Sequence, residues 1–177
     1  VSSSLPGLYS GKNKSTKTQY LYKAADLKSK GLSAGPISSI AFEIAQLANH
    51  GANSFNGFSI KMGCTSDSTL TKVFINSLVT VFNPKVIVTV QGMNRYTFDE
   101  EYVWDGVENI VVEVCWNNGS TIYSSDHLMS FGAVAYTSAN HYYSPHFTSA
   151  CGSLEGSTAP INRLPKTEFG VCEGINK

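Results

Sequence analysis

The chain has 177 residues, with 13 Lys or Arg against 13 Asp or Glu, so no net charge draws it to nucleic acid or to an anionic membrane. Only 15% of residues are charged, against about 25% in an average globular chain, which leaves the polar surface to Ser, Thr, Asn and Gly, as in many secreted β proteins. The length suits a single domain spanning 1–177 with its own core, and no apolar run is long enough for a membrane-spanning helix.

The N-terminus, Val-Ser-Ser-Ser-Leu-Pro, lacks the basic and apolar regions of a signal peptide, as expected of a mature product or of a piece cut from a longer protein. Residues 1–18 read as a polar N-terminal arm, with Lys12, Lys14 and Lys17 among Ser, Thr and Gly, and a solvated edge segment is expected there. Gln19 to Lys23 is a short strand with Tyr20 and Tyr22 on one side. Ala24 to Lys30 is the one helix-like stretch, stopped by Gly31. Pro36 opens a strand in which Ile40, Phe42 and Ile44 alternate with Ala41, Glu43 and Ala45.

Phe58 to Met62 alternates in the same way after a Gly/Asn loop, and Thr65 to Phe74 reads as a capped turn. Leu78 to Phe82 and Val86 to Val90 are expected as two strands around an Asn83-Pro84 turn. From Arg95 to Asn118 two strand signals flank the turn dipeptide Asp105-Gly106. In the second, Ile110, Val112, Val114 and Trp116 share one side, while Val111, Glu113 and Cys115 share the other, the pattern of a central strand. Leu128 to Tyr136 is a further strand, His141 to Phe147 a loop rich in aromatics and histidine, and Lys166 to Cys172 the last strand. Short strands, turn signals every 8–12 residues, one short helix near 24–30 and no βαβ alternation specify an all-β antiparallel sandwich of the jelly-roll kind.

Four cysteines, Cys64, Cys115, Cys151 and Cys172, contain no C-x-x-C pair, which points to disulfides and an extracellular setting over zinc. Of the three possible pairings, Cys64–Cys115 and Cys151–Cys172 are expected. The first would join two strands, and the second would tie the irregular segment before the last strand to that strand. One conflict is visible at once: Cys64 shares a face with Phe58, Ile60 and Met62, whereas Cys115 lies opposite the apolar Ile110/Val112/Val114 face, so a bulge or an edge must reconcile them.

Five motifs form an ordered series along the chain. They are Gln19-Tyr-Leu-Tyr-Lys-Ala-Ala-Asp-Leu, Gly31-Leu-Ser-Ala-Gly-Pro-Ile-Ser-Ser-Ile-Ala-Phe, Phe58-Ser-Ile-Lys-Met-Gly-Cys-Thr, Tyr96-Thr-Phe-Asp and Val103-Trp-Asp-Gly-Val-Glu-Asn-Ile-Val-Val-Glu-Val-Cys-Trp-Asn-Asn. The series resembles a β-sandwich accessory module of large secreted or cell-surface Bacteroidetes proteins that carry a type IX secretion signal. The similarity spans about residues 19–172. It departs at Met93, where the family pattern has Trp in a Gly-Trp-Asn triplet. The resemblance implies a secreted or surface location, a non-catalytic role, and neighbouring domains of a larger chain as partners.

Asp99, Glu100, Glu101, Asp105 and Glu108 form an acidic cluster. Paired carboxylates there could serve a hydrolase. Asp99, Glu101 and Asp105 could instead hold a structural calcium ion, although no Asp-x-Asp-x-Asp-Gly loop is present. His50, His127, His141 and His146 fall in expected loops without an H-E-x-x-H motif. The aromatics offer a polysaccharide or glycan site, since sugars stack their C–H faces on rings while amides read the hydroxyls. Trp116 beside Asn117, Tyr123, and His141-Tyr142-Tyr143 are the candidates, although Trp116 also continues the core face. Three rings on one exposed shelf would favour a glycan-binding module; scattered or buried rings would favour a spacer or protein-adhesion domain.

Overall fold

The computed structural model describes residues 2–3, 7–119, 123–144, 149–157 and 159–171. Its strands are β1 (Ser2–Ser3), β2 (Ser15–Tyr22), β3 (Gly35–Gln46), β4 (Ser54–Thr65), β5 (Val79–Val88), β6 (Gly92–Trp104), β7 (Asn109–Asn117), β8 (Leu128–Ala133), β9 (Ala139–Ser144), β10 (Arg163–Pro165) and β11 (Thr167–Val171), with one helix, α1 (Ala24–Ser29). Sheet I has the order β5-β4-β7-β2-β9, and sheet II gathers β1, β3, β6, β8, β10 and β11. The pairs β1·β8, β2·β7, β3·β6 and β4·β5 are antiparallel, each nested inside the one before, and they alternate between sheets. A long hairpin rolled up in this way is a jelly roll, as its alternating pattern predicts.

The core lies between the layers. Sheet I contributes Tyr20, Phe55, Phe58, Ile60, Met62, Ile110, Val112, Val114 and Trp116, and sheet II contributes Ile37, Ile40, Phe42, Ile44, Tyr96, Phe98 and Trp104. β7 is central, flanked by β4 and β2, and is buried on both sides. Its outer side, Val111, Glu113 and Cys115, is covered because two irregular straps, 66–78 and 149–157, cross sheet I. Leu70 packs on Leu21 and Val111. Gln19 exchanges hydrogen bonds with the Ile75 backbone at 2.6 and 2.9 Å, and Lys17 donates to the Ser153 carbonyl at 2.8 Å. The straps also bond each other, Phe74 N to Leu154 O at 3.0 Å and Gly156 N to Lys72 O at 2.7 Å.

Several expectations change. The polar arm is no solvated edge: Leu8, Tyr9 and Ser10 are buried, and Ser15–Thr18 form the start of β2 between β7 and β9. Hydroxyls make this possible by returning bonds to the backbone, Thr16 to Gly7 O and Ser15 to Trp116 O. Asn83-Pro84 does not end a strand; β5 runs through it along the edge of sheet I, with register shifts that absorb the missing N–H. The strands flanking Asp105-Gly106 lie in different sheets, so that turn joins the layers. Asp105 accepts the Val107 and Glu108 N–H groups there. The helix ends one residue early, at Ser29, and Gly31 at φ +93° stops it as expected.

Oxidised sulfur joins Cys115 to Cys151. This replaces the expected Cys64–Cys115 and Cys151–Cys172 pairings, and Cys64 is a free thiol. The reason is parity. Cys64 faces Ile110 across β4 and β7, on the inner side, whereas Cys115 faces outward under the 149–157 strap. Cys172 lies outside the described residues. Glu108, which hydrogen-bonds the Cys64 thiol, raises its pKa, and burial adds to this.

A split in sheet II as the candidate binding site

β3 is twelve residues long and pairs with β6 along most of its length. Its other edge is shared. β8 occupies it at Ile44 and Gln46, and β11 occupies it from Phe42 to Ile37. Lys166 stands where the two diverge: its N–H donates to Ser130 O of β8 at 2.8 Å, and its carbonyl accepts from Glu43 N of β3 at 3.2 Å. Before it, β10 follows β8; after it, β11 follows β3. Pro165 is the last residue in register with β8 before the switch, and its missing N–H falls on the edge of β10 turned away from β8. The Lys166 ammonium binds the Glu43 carboxylate at 2.8 Å, which holds Glu43 below the usual carboxylate range and Lys166 above its own.

The sheet is therefore forked, and a groove of about 800 Å³ opens along the fork. Phe131 of β8, Leu164 and Pro165 of β10, and Thr167 and Phe169 of β11 line it, with Tyr22, Leu27 and Leu32 from β2 and the helical segment. Tyr22 meets Phe169 edge to face, with ring centres 5.2 Å apart, and its hydroxyl lies 2.8 Å from the Thr167 hydroxyl. Burial drives the Tyr22 phenol well above its ordinary pKa, so it stays protonated. Arg163 covers the Phe131 ring at 4.9 Å. At the rim Arg95 bonds Glu168 at 2.6 Å and Ser39 at 3.1 Å. Glu168 is the single carboxylate in the lining and is tied to Arg95. The chemistry on offer is that of holding a ligand, with an apolar aromatic floor under a charged rim.

The residues singled out in the sequence fall elsewhere. Trp116 is 0% exposed, packs on Phe55 at 4.8 Å and donates its indole N–H to Leu8 O at 3.0 Å. It therefore offers no face to a ligand and is a core residue. Asn117 ends β7 and accepts from Gly119 N at 2.9 Å. Tyr123 is half-buried against the core. His141, Tyr142 and Tyr143 lie on strand β9 and not in a loop, so alternation splits them. His141 and Tyr143 meet in a tilted contact at 4.6 Å on the inner side, where burial lowers the His141 pKa and raises that of Tyr143 to about 12. Tyr142, at 36% exposure, points outward opposite Lys17. The rings do not share a shelf.

Of the histidines, His127 is buried between Ala48 N at 3.0 Å and the Thr89 hydroxyl at 3.0 Å, and His146 lies outside the described residues. Of the acidic cluster, Asp99 holds Lys85 at 3.1 Å and Asn83 N at 2.8 Å, and Asp105 is spent on its turn. Among the described residues no three His, Cys, Asp or Glu side chains gather as a metal site. The groove residues went unread because Tyr22, Phe131 and Phe169 each look like ordinary strand residues. The readable signal was Pro165, a residue without an N–H set just before the last strand.

No family model matches the chain, and neither a curated protein nor a solved structure matches it.

Proposed function

We propose that the chain is a non-catalytic adhesion module of a larger secreted or cell-surface protein, holding a protein partner or a neighbouring domain in the fork of sheet II. The fork carries this proposal, because it combines the open edge of β11, an apolar floor and a charged rim in one open groove. An oxidised cysteine pair and the absence, among the described residues, of a helix long and apolar enough to cross a membrane are compatible with a setting outside the cytoplasm. The resemblance to secreted accessory modules points the same way. A glycan partner loses support from the dispersal of the rings, with Trp116 enclosed and Tyr142 and Tyr143 on opposite sides of β9.

Affinity electrophoresis on a panel of soluble polysaccharides, run beside selection from a displayed peptide library, tests the assignment. Enrichment of peptides with no retardation by any polysaccharide is the expected outcome. Retardation by a polysaccharide with no peptide enriched would overturn it.

A further inference from the structure

We propose that the fork is filled by an extended, acidic segment of the partner, which adds as a strand along the free edge of β11. This rests on the adhesion reading above and names how the partner binds. Among the described residues β11 pairs only with β3, so its other edge is open beside the groove, whereas the Arg163 and Pro165 carbonyls of β10 already accept the Ser138 and Thr167 hydroxyls. Unpaired strand edges are satisfied best by another strand, whose alternate side chains then drop into whatever lies beneath. Beneath them lie Tyr22, Phe131 and Phe169, an apolar floor suited to one or two aliphatic side chains.

Two further observations select the occupant. Of the cations in the lining, Arg95 is paired with Glu168 and Lys166 with Glu43, which leaves the positive charge of Lys30 to complement an acidic segment. In addition, Gly132 sits within β8 at the groove wall, and a Cβ added there would meet nothing within 4 Å. Among the described residues no neighbour demands a glycine at that point. A strand glycine with open space before it fits the close approach of another backbone.

The probe is a dodecamer selected from a displayed random library on the immobilised protein, titrated by fluorescence anisotropy. Enriched sequences should alternate apolar residues and carry Asp or Glu. Two N-methylated versions of the selected peptide, methylated at odd or at even positions, separate the modes. Strand addition predicts at least a tenfold loss of affinity in one phase and little change in the other, because only one set of N–H groups faces β11. Gly132→Leu should weaken binding at least tenfold, with the melting temperature unchanged. Lys30→Glu should weaken it several-fold, with the loss shrinking at high salt.

Equal sensitivity to both methylation phases would overturn strand addition, as would undiminished binding to Gly132→Leu, and either result would leave a protein-binding module in place. Failure to enrich any peptide, with retention on a polysaccharide, would overturn both. A dimer in sedimentation that Gly132→Leu dissolves would identify the occupant as a second copy and overturn the foreign partner.

Discussion

The outer side of sheet I and the fork of sheet II solve the same problem in opposite ways. Over sheet I, the charged and amide groups of Lys17, Gln19 and Glu113 are satisfied by the chain itself. Glu113 accepts from Gln19 at 2.8 Å and lies 3.6 Å from Lys17, whose ammonium donates to a strap carbonyl. The Cys115–Cys151 bridge then fastens that strap down. In sheet II, strands β10 and β11 turn away from each other at Lys166, and β11 is left with an edge that no described strand completes. Where a fold supplies its own cover, the polar groups beneath are structural. Where it leaves ladder positions open above an apolar floor, another chain can complete the sheet.

The contrast breaks most readily at the bridge. Cys115 and Cys151 are 36 residues apart in sequence, and closing a loop of that length in the unfolded chain is worth about 4 kcal/mol by chain entropy. The double substitution Cys115→Ala/Cys151→Ala should lower stability in urea by roughly that amount. It should also raise hydrogen exchange first at Ala150–Gly156, before sheet II responds. Simultaneous loosening of both sheets would show that the strap is no separate cover.

Next comes the ion pair beneath the straps. The Lys17 and Glu113 side chains are 11% and 5% exposed, so removing one partner strands a charge away from water. Lys17→Met should cost about 3 kcal/mol, and adding Glu113→Gln should recover part of that loss, because Gln keeps the contact with Gln19 while shedding the charge. Chemical denaturation of the two singles and the double closes the cycle; strictly additive losses would mean that the pair is not coupled.

How much of this was legible depends on range. Alternation alone placed Tyr96, Phe98, Ile110, Val112 and Val114 in the core, and hence the two-layer fold. It also held the clue to the bridge, since Cys64 and Cys115 were out of phase from the start. The strand β9 was missed because Asn140, His141 and two tyrosines carry no β-branched residue, and only pairing with β2 makes them a strand. The N-terminal segment was misread for a related reason. Its Ser and Thr hydroxyls look solvated in sequence, yet they bond backbone groups as distant as Trp116. The fork is the least legible feature, because it arises where three distant segments meet at Lys166.

A smaller effect follows from acid. Burial lowers the pKa of His127, and its Nδ1 accepts the Ala48 N–H, so the folded state favours the neutral ring. A base depressed in this way supports folding fully above its unfolded pKa of about 6.5, and that support is lost as pH falls below it. Glu43, Asp99 and Asp105, also held below their ordinary values, withdraw their support only at more acid pH, beginning near 4.5 for Glu43. Melting temperature should therefore drop in a first step just below pH 6.5. His127→Gln should shrink that step to the share of His141 and leave the acid limb intact. An unchanged first step in the variant would assign it to His141 alone.

The smallest effect belongs to the fork. The Arg95–Glu168 pair joins β6 to β11 across Ala41 of β3, but both side chains are about half exposed. Water screens such pairs, so Arg95→Ala should cost about 0.2–1 kcal/mol, a few times less than any change under the straps. That inequality follows from the difference between the two regions: charges beneath a cover are costly to orphan, while charges beside an open groove can be rearranged to meet a partner. Arg95→Ala should consequently be nearly silent in denaturation yet visible in peptide binding, because Glu168, released from its partner, makes the rim more negative and repels an acidic strand. A variant as destabilised as Lys17→Met would mean that the rim is as structural as the sealed side, and that the fork is held shut rather than left open.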